Sequence, residues 1–243
     1  MRICYASDLH MEYAANRAYV REHAGDWQGD VLLLAGDIQE LANPSLSNDF
    51  WDWCAANFRE TLIVPGNHEY GHGVVPAGGG FTRYVRDNVA YHHNRVVRLD
   101  DVDFVCSTLW PVPGMAARAF ADQVLPYFNE PGVPSIDTLN AECVDFVFNA
   151  VRRSEARATV IVTHFAPTPD VVPPAKAVPE KLGVFACDLT ERIRREGPDV
   201  WLFGHSHTNV DQRIGATRLI ANQLGNLERQ MNEAFAFGKD FVL

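Results

Sequence analysis

Short apolar runs that end in polar residues constrain the fold of this chain more than any other feature. Six runs rich in Val, Ile and Leu have the length of buried strands, and they cover residues 2–6, 31–35, 61–64, 104–107, 159–163 and 200–203. Between several of them lie segments with helical periodicity, the clearest at 136–151, where Asp137 is the predicted N-cap. This alternation predicts a layered α/β fold.

Two further patterns concern sheet type and loops. Alternating segments at 212–214 and 218–221, separated by Gly215 and Ala216, indicate a β-hairpin and therefore a mixed sheet. Ten of the fourteen prolines lie in 111–134 and 167–179, which, with the glycines at 78–80, are predicted loops over a site. Because there is no internal repeat and no charged linker, we expect one domain over residues 1–243.

Composition excludes several classes of function. With 21 basic and 31 acidic residues the formal charge is −10, which disfavours a nucleic-acid partner. No apolar run approaches the roughly 18 residues of a membrane helix, and no leader pattern begins the chain, so we expect a cytoplasmic protein without a membrane partner. Five scattered cysteines without a C-x-x-C pair predict reduced, buried thiols. The sequence leaves the oligomeric state open.

The residues that follow the strands are of metal-ligand type. Five of the six runs lead directly into such residues, which are Asp8 and His10, Asp37, Asn67 with His68, His164, and His205 with His207. In layered α/β folds the loops after the strands converge over the sheet, so five separate stretches would deliver donors to one crevice.

The mixture of donors favours particular ions. Imidazole, carboxylate and amide oxygen together suit Mn²⁺, Fe²⁺, Co²⁺, Ni²⁺ or Zn²⁺, of which we expect Mn²⁺. Asp8 and His10 are two residues apart and point to the same side of an extended chain, so both could hold one ion. His205 and His207 could do the same, or a tight turn could send them to different ions. Glycines at 36, 66 and 204 fit sharp turns after the strands.

Each fragment alone is weak evidence, but the ordered set is specific. With D-x-H, GD, GNHE, a strand-end histidine and GHSH in this order, the chain resembles the calcineurin-like metallophosphoesterase superfamily. The resemblance implies a four-layer α/β/β/α sandwich with two mixed β-sheets and a site for two divalent metal ions. It implies these ligands: Asp8, His10 and His207 for the first ion, Asn67, His164 and His205 for the second, and Asp37 between both.

The implied activity is hydrolysis of a phosphate monoester or diester, by attack of a hydroxide held between the two ions. Asp37 and His68 are then the catalytic residues, with His68 as proton donor or phosphate-stabilising group. We expect a small phosphorylated molecule or nucleotide as substrate, contacted by Asn67 and His68, with His72 and Trp110 as further candidates. The alternatives are a catalytically idle scaffold that binds a protein partner, and a nuclease of the same superfamily.

An acidic residue, three further histidines and a group of aromatic residues lie outside the implied ligand set. In the protein phosphatase branch of the superfamily, an acid three residues after the bridging aspartate orients the catalytic histidine, and Glu40 has that position here. The phosphate-clamping arginine that follows in that branch is Leu41 in this chain, which argues against a protein phosphatase. His23, His92 and His93 are expected to be packed or solvent-facing, and the aromatic residues at 50, 51, 53 and 58 to form a helix core face.

Overall fold

Two six-stranded sheets form the centre of the molecule. The computed structural model describes residues 1–229 and 232–243. Within these ranges the twelve strands are β1 (Arg2–Ala6), β2 (Val31–Leu34), β3 (Glu60–Ile63), β4 (Phe81–Arg86), β5 (Val89–His93), β6 (Arg95–Leu99), β7 (Val102–Ser107), β8 (Ala158–Thr163), β9 (Val200–Leu202), β10 (Val210–Ile214), β11 (Thr217–Ala221) and β12 (Asp240–Val242). The α-helices are α1 (Ala14–His23), α2 (Asn48–Asn57), α3 (Arg118–Val124), α4 (Ile136–Arg153), α5 (Leu182–Phe185) and α6 (Thr190–Glu196).

Both sheets are mixed. The first has the order β12-β1-β2-β3-β5-β4, with parallel pairs from β1 to β5 and an antiparallel strand at each edge. The second has the order β10-β11-β9-β8-β7-β6, again parallel in the middle and antiparallel at the edges. The predicted hairpin is β10 and β11, in which Ile214 pairs with Thr217.

The strands divide their side chains between two apolar layers. In β1, Ile3 and Tyr5 point into the core between the sheets, whereas Cys4 and Ala6 face the helices. Phe104 and Val160 of the second sheet complete the central core. Two flat apolar faces therefore pack directly on each other, as in other sheet-on-sheet folds.

Helices cover the outer face of each sheet. Val20 of α1 and Trp51 of α2 pack on the first sheet, and the aromatic group at 50–58 lies in or against this core as predicted. Val147 of α4 and Ile193 of α6 pack on the second sheet. The predicted four-layer α/β/β/α arrangement is thus confirmed.

Differences from the prediction occur at element ends and sheet edges. The N-cap of α4 is Ser135, whose hydroxyl accepts a hydrogen bond from the Thr138 amide, so the prediction of Asp137 is wrong by two residues. The edge strands β4 and β6 were not predicted because they are largely exposed and alternate charged with apolar residues instead of forming an apolar run.

The structure also shows the state of the cysteines and the character of the helices. The five cysteines are all buried and unpaired, as predicted. Within the described ranges, no helix is both long and apolar enough to cross a membrane.

Candidate metal centre

The ends of the parallel strands from both sheets meet at one edge of the sandwich. The turns after β1, β2 and β3 provide Asp8, Asp37 and Asn67, and the turns after β8 and β9 provide His164 and His205. The two sheets are tied together here, because the His205 amide donates a hydrogen bond to Asp8 Oδ1 at 3.0 Å. The predicted convergence of donors is therefore present in the fold.

Several of these donors have an unusual backbone conformation. Left-handed φ angles between 47° and 69° occur at five of the seven predicted ligands, which are Asp8, His10, Asp37, His205 and His207. Non-glycine residues adopt this region at a cost, and such strain concentrates at functional sites. The strand-end turns here are shaped to aim side chains into one crevice.

The first donor group consists of Asp8, His10 and His207, whose donor atoms lie within 4.8 Å of one another. The Nε2 atoms of His10 and His207 are 3.1 Å apart, and His207 Nε2 is 3.4 Å from Asp8 Oδ1. His205 and His207 therefore belong to different groups, which decides between the two alternatives that the sequence left open.

The second donor group is built around His164, which is fully buried. Its Nε2 lies 3.0 Å from Asn67 Oδ1, 3.2 Å from His205 Nδ1 and 3.4 Å from Asp37 Oδ1. Its Nδ1 donates to the Ala35 carbonyl at 2.9 Å, so Nε2 is the atom that faces the other donors and that would bind a metal ion in the neutral ring. Four donors from four strand ends thus surround one point.

The donor separations match those expected between two ligands of one metal ion. Two atoms bound to one ion at about 2.1 Å, at octahedral or tetrahedral angles, are about 3.0 to 3.4 Å apart. The observed separations in both groups are 3.0 to 3.4 Å. His10 Nδ1 contacts a carboxylate, so its Nε2 brings a lone pair towards His207 Nε2, a contact that a cation would stabilise.

Electrostatics also favour a cation in the second group. Burial alone lowers the pKa of His164, but the charge and hydrogen bond of Asp37, together with Asp8 and the Ala35 carbonyl, outweigh it and raise that pKa to about 9. In contrast, burial and the neighbouring His164 hold the pKa of His205 well below its ordinary value. In the absence of a metal, the cluster therefore favours a proton on His164. A divalent ion would replace that proton.

Three glycines leave room for the donors. A side chain at Gly36 would collide with the His164 ring, and one at Gly66 would collide with Asp37 Oδ1. At Gly204 a Cβ would lie 2.8 Å from Asp8 Oδ2. Gly36 also has φ of +86°, so it is required for both conformation and space.

A buried carboxylate holds two of the turns in place. Glu69 accepts hydrogen bonds from the amides of Asp37 at 2.9 Å, Ile38 at 2.9 Å and Gly66 at 2.7 Å. Burial raises the pKa of Glu69 to about 8, and hydrogen bonds from these amides act in the opposite direction. Glu69 thereby links the turn that carries Asp37 to the turn that carries Asn67.

Glu12 connects the first donor group to His68. Its Oε1 lies 2.9 Å from His10 Nδ1 and 2.9 Å from His68 Nδ1. Burial alone lowers the pKa of His68, but Asp37 and Glu12 outweigh it and raise that pKa to about 10. Cations bound beside Asp37 would offset part of this attraction. The sequence analysis missed Glu12, although it continues the alternation of polar residues at 8, 10 and 12.

Glu40 has the sequence position of an orienting acid, but its contacts in the structure are with residues other than His68. Glu40 Oε2 lies 3.3 Å from His72 Nδ1 and accepts a hydrogen bond from Asn43. Glu12 occupies the place beside His68 Nδ1 instead. Spacing relative to Asp37 could not reveal this, because the orienting acid comes from a different strand end.

A cleft of about 460 Å³ opens over the two donor groups. The first proline-rich segment contributes an apolar wall that includes Phe120, Val124 and Tyr127, and the second contributes Lys176. Both proline-rich segments therefore border the site, although the first contains the helix α3 and is not a loop throughout. The segment at 78–80 does not border it, because its backbone packs against Glu142 instead.

The two further substrate contacts that the sequence suggested have different positions. His72 lies on the rim of the cleft with a mostly exposed side chain. Trp110 is fully buried and packs against Tyr70, Tyr127 and Phe165, so it does not line the cleft and its prediction as a substrate wall is wrong. Its neighbour Pro111 marks a loop, but α3 and α4 cover that loop with apolar residues.

Two mixed sheets between helices, with donor groups at the shared strand ends, define the class of metallophosphoesterase folds. The chain belongs to the calcineurin-like phosphoesterase family, whose model matches residues 1–209. An uncharacterized protein of Acanthamoeba polyphaga mimivirus is 24% identical over 266 residues, which cover 96% of this chain and 94% of the viral protein.

Solved structures share the fold at low identity. A phosphopantetheinyl hydrolase from Mycobacterium tuberculosis superimposes with a TM-score of 0.64 at 18% identity, covering 92% of this chain and 89% of that chain. A dimetal phosphatase from Danio rerio superimposes with a TM-score of 0.50 at 13% identity, covering 98% and 91%. At these identities the likeness establishes the fold, and the function has to be argued from the site.

Proposed function

We propose that this protein is a metal-dependent phosphoesterase that hydrolyses a phosphate monoester or diester of a small molecule or nucleotide. The proposal rests on one observation: two donor groups lie next to each other, and the His68 ring lies beside them with its Nδ1 against Glu12 and its Nε2 left for a substrate. We expect two divalent transition-metal ions, with Mn²⁺ preferred over Fe²⁺, Co²⁺, Ni²⁺ or Zn²⁺ by the mixture of nitrogen and oxygen donors.

In this proposal the seven donors have distinct tasks. Asp8, His10 and His207 would hold one ion, and Asn67, His164 and His205 the other. Asp37 would serve both, since its carboxylate acts electrostatically on His164 and His10 alike. Two divalent ions in such a site lower the pKa of a water molecule and withdraw charge from phosphoryl oxygens during in-line displacement.

His68 would supply the proton for the leaving oxygen. Glu12 receives its Nδ1–H, so its Nε2 is the atom available for substrate, and the side chain remains partly exposed towards the cleft. A positioned acid of this kind accelerates such reactions by about 10² to 10⁴-fold. The apolar wall formed by Phe120, Val124 and Tyr127 would hold the organic part of the ester and keep water away from it.

The two alternatives have less support. A catalytically idle scaffold has no need for a strained seven-residue donor set or for a histidine held by Glu12. A nuclease would need a basic track for the phosphate backbone, whereas the net charge is −10 and the cleft contains the single lysine Lys176 among the described residues that line it.

The test compares hydrolysis of p-nitrophenyl phosphate and bis(p-nitrophenyl) phosphate by the Mn²⁺-loaded protein with hydrolysis by the variants D37N and D101N. Asp101 is exposed and remote from the donors, so D101N is a matched control for removal of one charge. We expect D37N to lose at least 100-fold in rate and D101N to retain wild-type activity. Absence of hydrolysis by the wild-type protein, or full activity of D37N, contradicts the proposal.

A further inference from the structure

One cation is fixed beside the donor groups without a partner of opposite charge. Lys176 lies on the second proline-rich segment, where its Nζ donates a hydrogen bond to the Ser206 carbonyl at 2.7 Å. The same Nζ lies 5.0 Å from the centre of the Phe185 ring. Since Ser206 is the residue between His205 and His207, these contacts place the ammonium at the wall of the metal centre.

The ammonium has unused hydrogen-bonding capacity. A lysine donates three hydrogen bonds, and in the described part of the chain no carboxylate lies within 4.0 Å of the Lys176 nitrogen. Burial lowers the pKa of Lys176, and the charge of Asp8, which lies beyond ion-pair distance, offsets this only in part. A ligand with a negative charge would compensate for this unfavourable burial of the Lys176 charge.

A second unsatisfied donor lines the same cleft. Tyr127 is 5% exposed, and its hydroxyl has no hydrogen-bond partner among the described residues. Its neighbour Tyr70, with ring centres 5.8 Å apart, differs in having Thr108 as a partner for its hydroxyl. Buried hydroxyls are nearly always paired in proteins, and a ligand in the cleft could supply the partner that the Tyr127 hydroxyl lacks.

Lys176 and Tyr127 are both suited to bind an anion. An ammonium and a phenol are both donors, and anionic oxygens of phosphate or phosphonate accept from both. The cleft also contains the aromatic residues Phe120 and Phe185, which suit an organic group next to such an anion. Lys176 is the only lysine or arginine among the described residues that line the cleft, and its charge adds to that of His68.

We propose that Lys176 and Tyr127 form an anion subsite that binds a phosphoryl oxygen of the substrate. The subsite rests on the proposed phosphoesterase function and extends it to substrate recognition. The phosphoryl oxygen belongs either to the phosphate being cleaved or to a second phosphate of the same molecule, and these two sources are distinguished below.

The experiment measures binding rather than turnover. Isothermal titration of the Mn²⁺-loaded protein uses phenylphosphonate, which has one anionic group, and propane-1,3-diphosphonate, which has two; neither has an ester bond to cleave. The variants are K176M, K176R and Y127F. K239M is the matched control, because Lys239 lies next to β12 and outside the cleft lining.

We expect K176M to weaken binding about tenfold or more, the size of one charge-assisted hydrogen bond, and Y127F to weaken it about threefold or more. K176R should stay within about threefold of the wild type, and K239M should be unchanged. Weaker binding of both ligands identifies the phosphate that is cleaved, whereas weaker binding of the diphosphonate alone identifies a second phosphate. Either result supports the subsite.

Several results would overturn it. Unchanged affinity of K176M for both ligands, or no binding of either ligand by the wild type, removes the subsite, and unchanged affinity of Y127F removes the tyrosine from it. Manganese content is measured in parallel, and loss of metal in K176M would show that Lys176 only supports the turn at His205 and His207. A wild type that binds the ligands in a Lys176-dependent way but cleaves no ester refutes the proposed function and leaves the subsite intact.

Discussion

The carboxylate of Glu12 offers the sharpest perturbation of the proposed chemistry. The substitution E12Q keeps the shape of the side chain but removes its charge. The amide nitrogen would take the position of Oε2, so no existing hydrogen bond among the described residues is lost there. The remaining oxygen can still accept from His10 and His68, each now 2.9 Å away, but as a neutral acceptor.

The size of the effect follows from these two bonds. Hydrogen bonds to a charged partner contribute about 1.5 to 3 kcal/mol, and those between neutral groups about 0.5 to 1.5 kcal/mol. Loss of the charge therefore costs about 1 kcal/mol per bond, and about 2 kcal/mol for both. If the transition state loses all of this stabilisation of about 2 kcal/mol, kcat/KM falls by about 30-fold. This lies within the range of about 10- to 100-fold for residues that orient metal ligands.

The assay is the rate of p-nitrophenyl phosphate hydrolysis over a range of Mn²⁺ concentrations, which separates loss of metal affinity from loss of kcat. E40Q is the matched control, since Glu40 contacts His72 and Asn43 but not His68. We expect E12Q to be slow at saturating metal and E40Q to resemble the wild type. A fast E12Q, or an E40Q that is equally slow, would refute the argument that Glu12 positions His68.

Three further predictions concern the turns, the core and pH. G66A, whose new methyl group would collide with Asp37, should lower Mn²⁺ affinity by at least tenfold in a competition titration while the circular dichroism stays unchanged. W110A should lower the free energy of unfolding by about 3 to 5 kcal/mol in urea denaturation, as expected for a core residue and not for a substrate wall. Burial, with Arg95, lowers the pKa of His93 to about 4, so its stabilisation is present above about pH 6.5 and is lost as the pH falls to 4. H93N should therefore reduce the dependence of unfolding free energy on pH in that window, and equal slopes for variant and wild type would contradict this.

Much of the donor set could be predicted because of a simple structural rule. Asp8, Asp37, Asn67 and His164 each lie one to four residues after the end of a buried parallel strand, and apolar runs make those strands visible in the sequence. Once the strands are placed, their ends converge at one edge of each sheet. Proline content likewise indicated the loops that border the cleft.

The remaining features depend on contacts between distant segments. Glu12 and His68 are 56 residues apart, and no local pattern shows which of several acids contacts the histidine. Glu69 is part of the GNHE motif, but the motif does not show which amides it binds. Its hydrogen bonds to the turns after β2 and β3 depend on the parallel pairing of these two strands. Trp110 was misplaced because a proline-rich loop need not be exposed when other elements cover it.

Location of bound metal tests the central claim most directly. Crystals of the wild-type protein grown with excess Mn²⁺, with diffraction data collected on both sides of the manganese absorption edge, would show each ion as an anomalous peak. We predict two peaks, each about 2.1 Å from its donors, one beside Asp8, His10 and His207 and the other beside Asn67, His164 and His205. A single peak, or none at this edge of the sandwich, would contradict the account.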